Sequence, residues 1–226
     1  MRRRYGSWSL LDNSLLEKWV LRCGAEVLGL DLLRTLSSGD ASALRQAALD
    51  HQVIVIRGTP LQPDVLVRRG TLFGELTVHP VFPHLEGYPP IAVIQNYGKK
   101  YSANEHWHSD VMLVETPASA TLLHALDVPE VGGDTQFANQ YLAYEGLSND
   151  MKEKIEDLRG INTGAGTARL AGKDASEAPQ AVHPIGKAHP ETGRKALFAC
   201  RAFTTGLEGF STEESKPTRE AIFKEG

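Results

Sequence analysis

Apolar positions fall along this chain in two rhythms. From Gln52 to Ile56 every residue after the first is β-branched, and Arg57-Gly58 ends the run, which predicts a strand covered on both faces. The run Ile91 to Ile94 predicts a second buried strand. From His106 onward the pattern is strand-dominated: His106 to Val114, Ser119 to Leu126, and Thr135 to Ala138 after the turn signal Gly132-Gly133-Asp134. Helical spacing occurs between and after these segments. Asp40 is expected to cap a helix running through Leu44, Ala47 and Ala48 toward His51, and Asp64 to Phe73 predicts another. Ser148 opens an amphipathic helix, since Met151, Ile155 and Leu158 share one face while Lys152 and Glu156 pair on the other. Glu213, Glu214 and Lys216 open a helix-like segment over 211–226. The stretch from Gly160 to Ala181 is rich in Gly, Ala, Ser and Thr without periodicity, and predicts a long, lid-like loop.

The fold class expected is mostly β with flanking helices (α+β), with the strand density of a barrel or jelly roll. No repeat and no Pro/Ser-rich linker divides the 226 residues, so a single domain over 1–226 is expected. Hydrophobic residues make up 41% and charged residues 23%, the balance of a water-soluble globular chain. The 28 acidic and 24 basic side chains are interspersed, giving a net charge of −4 and no basic field for phosphates, so nucleic acid is not an expected partner. After Arg2-Arg3-Arg4 the polar residues Asp12, Asn13, Glu17 and Lys18 interrupt any apolar core of a signal sequence, so neither export nor a membrane is expected. Cys23 and Cys200 form no CxxC pattern, which suits a reducing cytoplasm. A homo-oligomer is left open.

The segment that carries chemistry is His106-Trp107-His108-Ser109-Asp110. On a strand, alternate side chains share a face, so these three polar residues could converge on one ion. A His and a carboxylate two residues apart, joined by a distant second His, form the facial triad of non-haem Fe(II) oxygenases, which leaves three coordination positions for a bidentate cosubstrate and O2. Polar residues on an ordinary strand would look the same. The hydrolase pattern HxHxDH fits as far as Asp110 but then meets Val111, and a cupin's later Glu is replaced by Met112 and Leu113. His124, His183 and His189 are candidate third ligands on spacing alone. Gly164-Ala165-Gly166 lacks the third glycine of a dinucleotide loop, having Arg169 there.

Several blocks in order are more specific. Gly24-Ala25-Glu26-Val27, Phe73-Gly74-Glu75 with Val78-His79-Pro80, Trp107 to Val111, Glu115-Thr116-Pro117, Gly132 to Thr135, and His189-Pro190 through Thr192-Gly193-Arg194 to Phe198 together resemble the TauD/TfdA family of taurine and phenoxyacetate dioxygenases. The resemblance implies a double-stranded β-helix (jelly roll), incomplete at the C-terminus, and an Fe(II)- and 2-oxoglutarate-dependent hydroxylation of a small organic anion by O2. It makes His108 and Asp110 iron ligands and Thr135 the hydroxyl on the far carboxylate of 2-oxoglutarate. His79, Phe82 and Asn104 become substrate-pocket positions, and His106 a neighbour outside the ligand set. It places His183 and His189 upstream of the distal histidine. The taurine enzymes carry Tyr where this chain has Phe82, which counts against taurine itself. The distal histidine and the cosubstrate's arginine are expected past Gly226, so the chain as given is expected to lack two parts of the site.

Overall fold

Chain order begins with a hairpin, β1 (Leu10–Leu11) and β2 (Ser14–Lys18), and β2 pairs antiparallel with β3 (Ala25–Leu28). The computed structural model describes residues 10–11, 14–18, 23–58, 60–95, 106–170, 172 and 174–225. They divide into two compact units, Met1–Leu76 with Leu122–Asn139, and Thr77–Thr121 with Gln140–Gly226.

In the first unit, helix α1 (Ser38–His51) crosses from β3 to β4 (Ile54–Ile56), which lies parallel to β3. The cap of α1 is Ser37 rather than Asp40. Ser37 Oγ accepts from the Asp40 amide at 3.0 Å while the Asp40 carboxylate accepts from the Ser37 backbone amide at 3.4 Å, so Asp40 closes the capping box from inside the first turn. Gln52, at φ +62°, ends the helix. Leu44 and Ala47 bury against Ala25 and Val27. Since β4 is the outer strand in the order β1-β2-β3-β4, its residues are half-buried, and the expectation of cover on both faces is corrected. Helix α2 (Pro63–Gly70) opens on a proline and runs into a 3-10 turn at Thr71–Phe73. Its Arg69 is buried because the guanidinium donates to the carbonyls of Leu32 (2.8 Å and 2.9 Å) and Arg34 (2.6 Å).

The expected strands at Ser119–Leu126 and Thr135–Ala138 do not form; residues 117–139 are irregular. Alternation supplies an apolar face but no ladder, and among the described residues no neighbouring strand offers one. Leu123, Leu126, Val128 and Val131 are accordingly exposed.

The second unit opens with the hairpin β5 (His84–Leu85) and β6 (Tyr88–Ala92), turned at Gly87 with φ +77°. Helices α3 (Gln140–Gly146) and α4 (Asn149–Ile155) follow, the latter capped as expected by Ser148, whose Oγ accepts from the Met151 amide at 3.1 Å. Then come β7 (Arg159–Thr163), α5 (Ala165–Leu170), a 3-10 turn at Ala175–Glu177, and β8 (Gln180–Pro184). The expected loop from Gly160 to Ala181 is therefore mostly ordered. Its small residues reflect close packing: a methyl on Gly160 would sit 2.9 Å from Ile185 Cδ1 and 3.1 Å from Thr204 Cγ2. A second hairpin, β9 (Gly186–Ala188) and β10 (Lys195–Leu197), precedes β11 (Thr204–Leu207) and α6 (Thr212–Glu225). Strands β11, β7 and β8 form an antiparallel sheet in that order. Met151, Ile155, Ile185, Leu197, Leu207 and Ile222 make the core. Helix and strand are mixed, which bears out the flanking helices but not the expected strand majority among the described residues. Among the described residues no helix is long and apolar enough to cross a membrane.

A polar knot crosses this sheet. The Thr204 hydroxyl donates to Asn162 Oδ1 at 2.7 Å and accepts from the Cys200 amide at 3.0 Å, while Asn162 Nδ2 donates to the Gly160 carbonyl at 3.0 Å. Both side chains are almost fully buried. Thr204→Val keeps the shape but strands one donor and one acceptor, and should cost about 1–3 kcal/mol of unfolding free energy. A denaturant midpoint equal to wild type would show that the knot carries no stability.

Candidate functional site

His108 and Asp110 are brought together, but not by a strand. Residues 106–109 are irregular and 110–113 form a turn, so the expected strand from His106 to Val114 is corrected. The His108 ring is held at both ends. Its Nδ1–H donates to the carbonyl of His106 at 2.7 Å, and its Nε2 lies 3.3 Å from Asp110 Oδ1. Because the His106 carbonyl only accepts, Nδ1 must carry a proton, and Nε2 is left facing the carboxylate. His106 thus contributes a backbone oxygen. Among the described residues no cluster of three or more His, Cys, Asp or Glu side chains forms, so the convergence of His106, His108 and Asp110 as three ligands is also corrected.

The electrostatics follow from this geometry. Asp110's hydrogen bond holds His108 above the ordinary imidazole range, against the opposing pull of burial. Reciprocally, His108's hydrogen bond holds Asp110 below the usual carboxylate range, with a further hydrogen bond from Thr121. A proton on Nε2 would bridge the two side chains. A divalent cation offers the same compensation: two neighbouring donors on one ion at about 2.1 Å stand about 3 Å apart, close to the observed separation. An imidazole with its other nitrogen tied to a carbonyl and an ionised carboxylate with a hydroxyl partner form a metal-binding donor set, and the residues present fit Fe(II).

Sequence reasoning missed the groups that orient the pair. Thr121 binds the Asp110 carboxylate from eleven residues away in sequence. Phe203 presents its ring edge-on to His108, centroids 5.8 Å apart and planes at 86°. The Phe203 carbonyl accepts from the Thr163 amide at the end of β7, and the adjoining Cys200 amide and carbonyl both bond Thr204. Neither residue carries a local signal. The turn itself is strained, since Val111, a β-branched residue, sits at φ +53°, a left-handed conformation costing about 1–2 kcal/mol.

Other candidate residues are placed as follows. His79 is near enough for its charge to act on Asp110. Its Nδ1 accepts from the amides of Val81 (3.2 Å) and Phe82 (3.1 Å), which puts its proton on Nε2, and its ring lies 4.6 Å from that of Phe82. Thr135 is exposed in an irregular segment of the first unit. Asn104 lies outside the described residues. Of the alternative ligands, His124 Nε2 accepts from the Leu61 amide, His183 Nε2–H donates to the Val114 carbonyl, and His189 Nδ1 accepts from the Glu191 amide.

Comparison with known proteins identifies the family. The model of the taurine catabolism dioxygenase TauD, TfdA family matches residues 13–224. An alkylsulfatase of Acinetobacter baylyi is 31% identical over 215 residues, covering 89% of this chain and 67% of that protein. An alpha-ketoglutarate-dependent 2,4-dichlorophenoxyacetate dioxygenase of Cupriavidus pinatubonensis is 30% identical over 85% of this chain and 75% of its own length. The crystal structure of a taurine dioxygenase from Burkholderia xenovorans superposes with a TM-score of 0.78 at 28% identity, covering 94% of this chain and 72% of that one. The chain belongs to the TauD, TfdA family.

The coupling between the two side chains gives a direct test. In the metal-free chain the His108 imidazole should titrate above its ordinary value of 6.5, and Asp110→Asn should bring it down. Because the folded value is raised, the imidazolium's contribution to stability is complete below the unfolded value and is lost as pH rises through the folded one. Asp110's contribution, from a lowered folded value, is lost as pH falls through that value. The ion pair therefore stabilises most between these two limits. The NMR titration of the His108 ring protons reads the first effect; an unchanged curve in Asp110→Asn would disprove the coupling.

Proposed function

We propose that this chain carries the iron-binding turn of an Fe(II)- and 2-oxoglutarate-dependent dioxygenase that hydroxylates a small organic anion. The observation that carries the reading is the His108 Nε2 and Asp110 Oδ1 pair, 3.3 Å apart, with the opposite imidazole nitrogen committed to a carbonyl. The names of the alkylsulfatase and the phenoxyacetate dioxygenase support the substrate class, and the likeness to solved taurine dioxygenases supports a double-stranded β-helix as the architecture.

His108 and Asp110 would hold Fe(II) by one imidazole nitrogen and one carboxylate oxygen, leaving positions for 2-oxoglutarate and O2. When bound, the iron supplies the oxidising chemistry, coupled to conversion of 2-oxoglutarate to succinate and CO2. The side chains orient. The His106 carbonyl fixes the tautomer of His108, Thr121 hydrogen-bonds the Asp110 carboxylate, and Phe203 limits rotation of the imidazole. Thr135 is the proposed partner of the far carboxylate of 2-oxoglutarate. His79, with its proton on Nε2, suits an anionic group on the substrate. Phe82 stacks on His79 and brings no hydroxyl, which favours a sulfate ester or aryloxy acid with an apolar body over taurine. Asn104 remains a proposed pocket residue.

A second reading has an observation of its own. Because no third His, Cys, Asp or Glu joins the pair among the described residues, a chain that binds an ion and a small anion without turnover is the alternative. The two readings separate in one assay, succinate and CO2 released from 2-oxoglutarate with added Fe(II) under air. The oxygenase reading expects any succinate formed by the parent chain to be lost in Asp110→Ala. Succinate formation that survives Asp110→Ala would refute the site, and its absence from the parent chain would leave the binding reading in place.

A further inference from the structure

The turn that aims Asp110 at His108 does not hold itself, because Val111 is in the left-handed region and an unrestrained chain would relax out of it. Two contacts just beyond it restrain the backbone. Met112 is fully buried, with its sulfur 3.6 Å from Cys200 Sγ. Two residues later the Val114 carbonyl accepts from His183 Nε2–H at 3.0 Å, and the Met112 carbonyl also bears on that ring.

Taking His108 and Asp110 as the metal pair, on which this inference rests, we propose that His183 is a positioning residue: it clamps the strained turn from behind and so sets the place of the Asp110 carboxylate. His183 stands on β8, paired with Gly160 of β7, and is only 4% exposed. Its ring is fixed in orientation by Phe198, edge-on at 5.3 Å, over which the Lys187 ammonium sits at 4.3 Å. Burial, then the charge of Lys187, holds the imidazole below its ordinary range, so it stays neutral. A neutral ring has one N–H, and the Val114 carbonyl takes it. His183 is thus a rigid single donor rather than a ligand or a proton carrier. The clamp also explains why an imidazole occupies a buried sheet position where an aliphatic residue would pack as well.

Three variants test it with Mn(II) as the probe, free ion being counted by electron paramagnetic resonance, and with hydrogen exchange of residues 110–116. His183→Leu fills the space but leaves the Val114 carbonyl unpaired; it should raise the Mn(II) dissociation constant about 10–100-fold and speed exchange in that segment. His183→Gln restores an N–H donor and should return both readouts toward the parent. Ile222→Ala opens the core of the same unit away from the turn and should lower stability without changing Mn(II) affinity. Parent-like binding by His183→Leu would overturn the clamp. So would an equal loss in His183→Gln, or a loss in Ile222→Ala as large as that in His183→Leu. Asp110→Ala with parent-like Mn(II) affinity would instead remove the metal pair, and this inference with it.

Discussion

The site depends on one constraint, that an imidazole nitrogen and a carboxylate oxygen are held facing each other at 3.3 Å with something positive required between them. The His106 carbonyl creates this requirement. By taking the Nδ1 proton it removes the tautomer in which Nε2 could donate to Asp110 as a neutral ring. What remains is an imidazolium or a cation. The same two causes that hold His108 up and Asp110 down in the metal-free chain are those a divalent ion would replace, since proton and metal compete for one lone pair.

Holding such a pair requires backbone precision that a loop does not provide alone. Here the sheet provides it. The Asn162 and Thr204 knot fixes the chain from Cys200 to Thr204, and with it Phe203 against His108. Met112 and the Val114 carbonyl fix the other side of Asp110. A strained φ at Val111 is affordable because the residues on either side are over-determined. The fold's contribution to the proposed site is thus a set of contacts two and four residues beyond Asp110, together with Phe203 against His108.

What was legible in the amino-acid order divides along the same line. Helix α4 and its cap Ser148 could be read because capping is decided within four residues. The α1 cap was placed at Asp40 rather than Ser37, because both partners of a capping box carry the same polar signal. His108 and Asp110 could be read as a pair, being two residues apart, although the strand reasoning that joined them was wrong and a turn does the work. Thr121 and Phe203 carry no local signal, and His183 reads from spacing only as a candidate ligand, since each reaches the pair or its turn through tertiary contact. The small residues from Gly160 onward read as a loose loop, whereas Gly160 is small because Ile185 and Thr204 press on it.

The strands expected between Ser119 and Ala138 illustrate a different limit. Period-2 patterning states which face of a segment wants burial, but a strand exists only when its amides and carbonyls meet those of a neighbour. Leu123 and Leu126, 68% and 78% exposed, lie three residues apart and would point to opposite faces, and no neighbour pairs with them among the described residues. In β7 the pairing is present without the apolar signal, with Gly160 and Asn162 buried and Ile161 half-buried in the strand between β11 and β8. Patterning and pairing are separate conditions, and only the first is written locally. Counting strands from sequence pattern alone therefore overstates the sheet, whereas the closeness of His108 and Asp110, two residues apart on one turn, needs no distant partner.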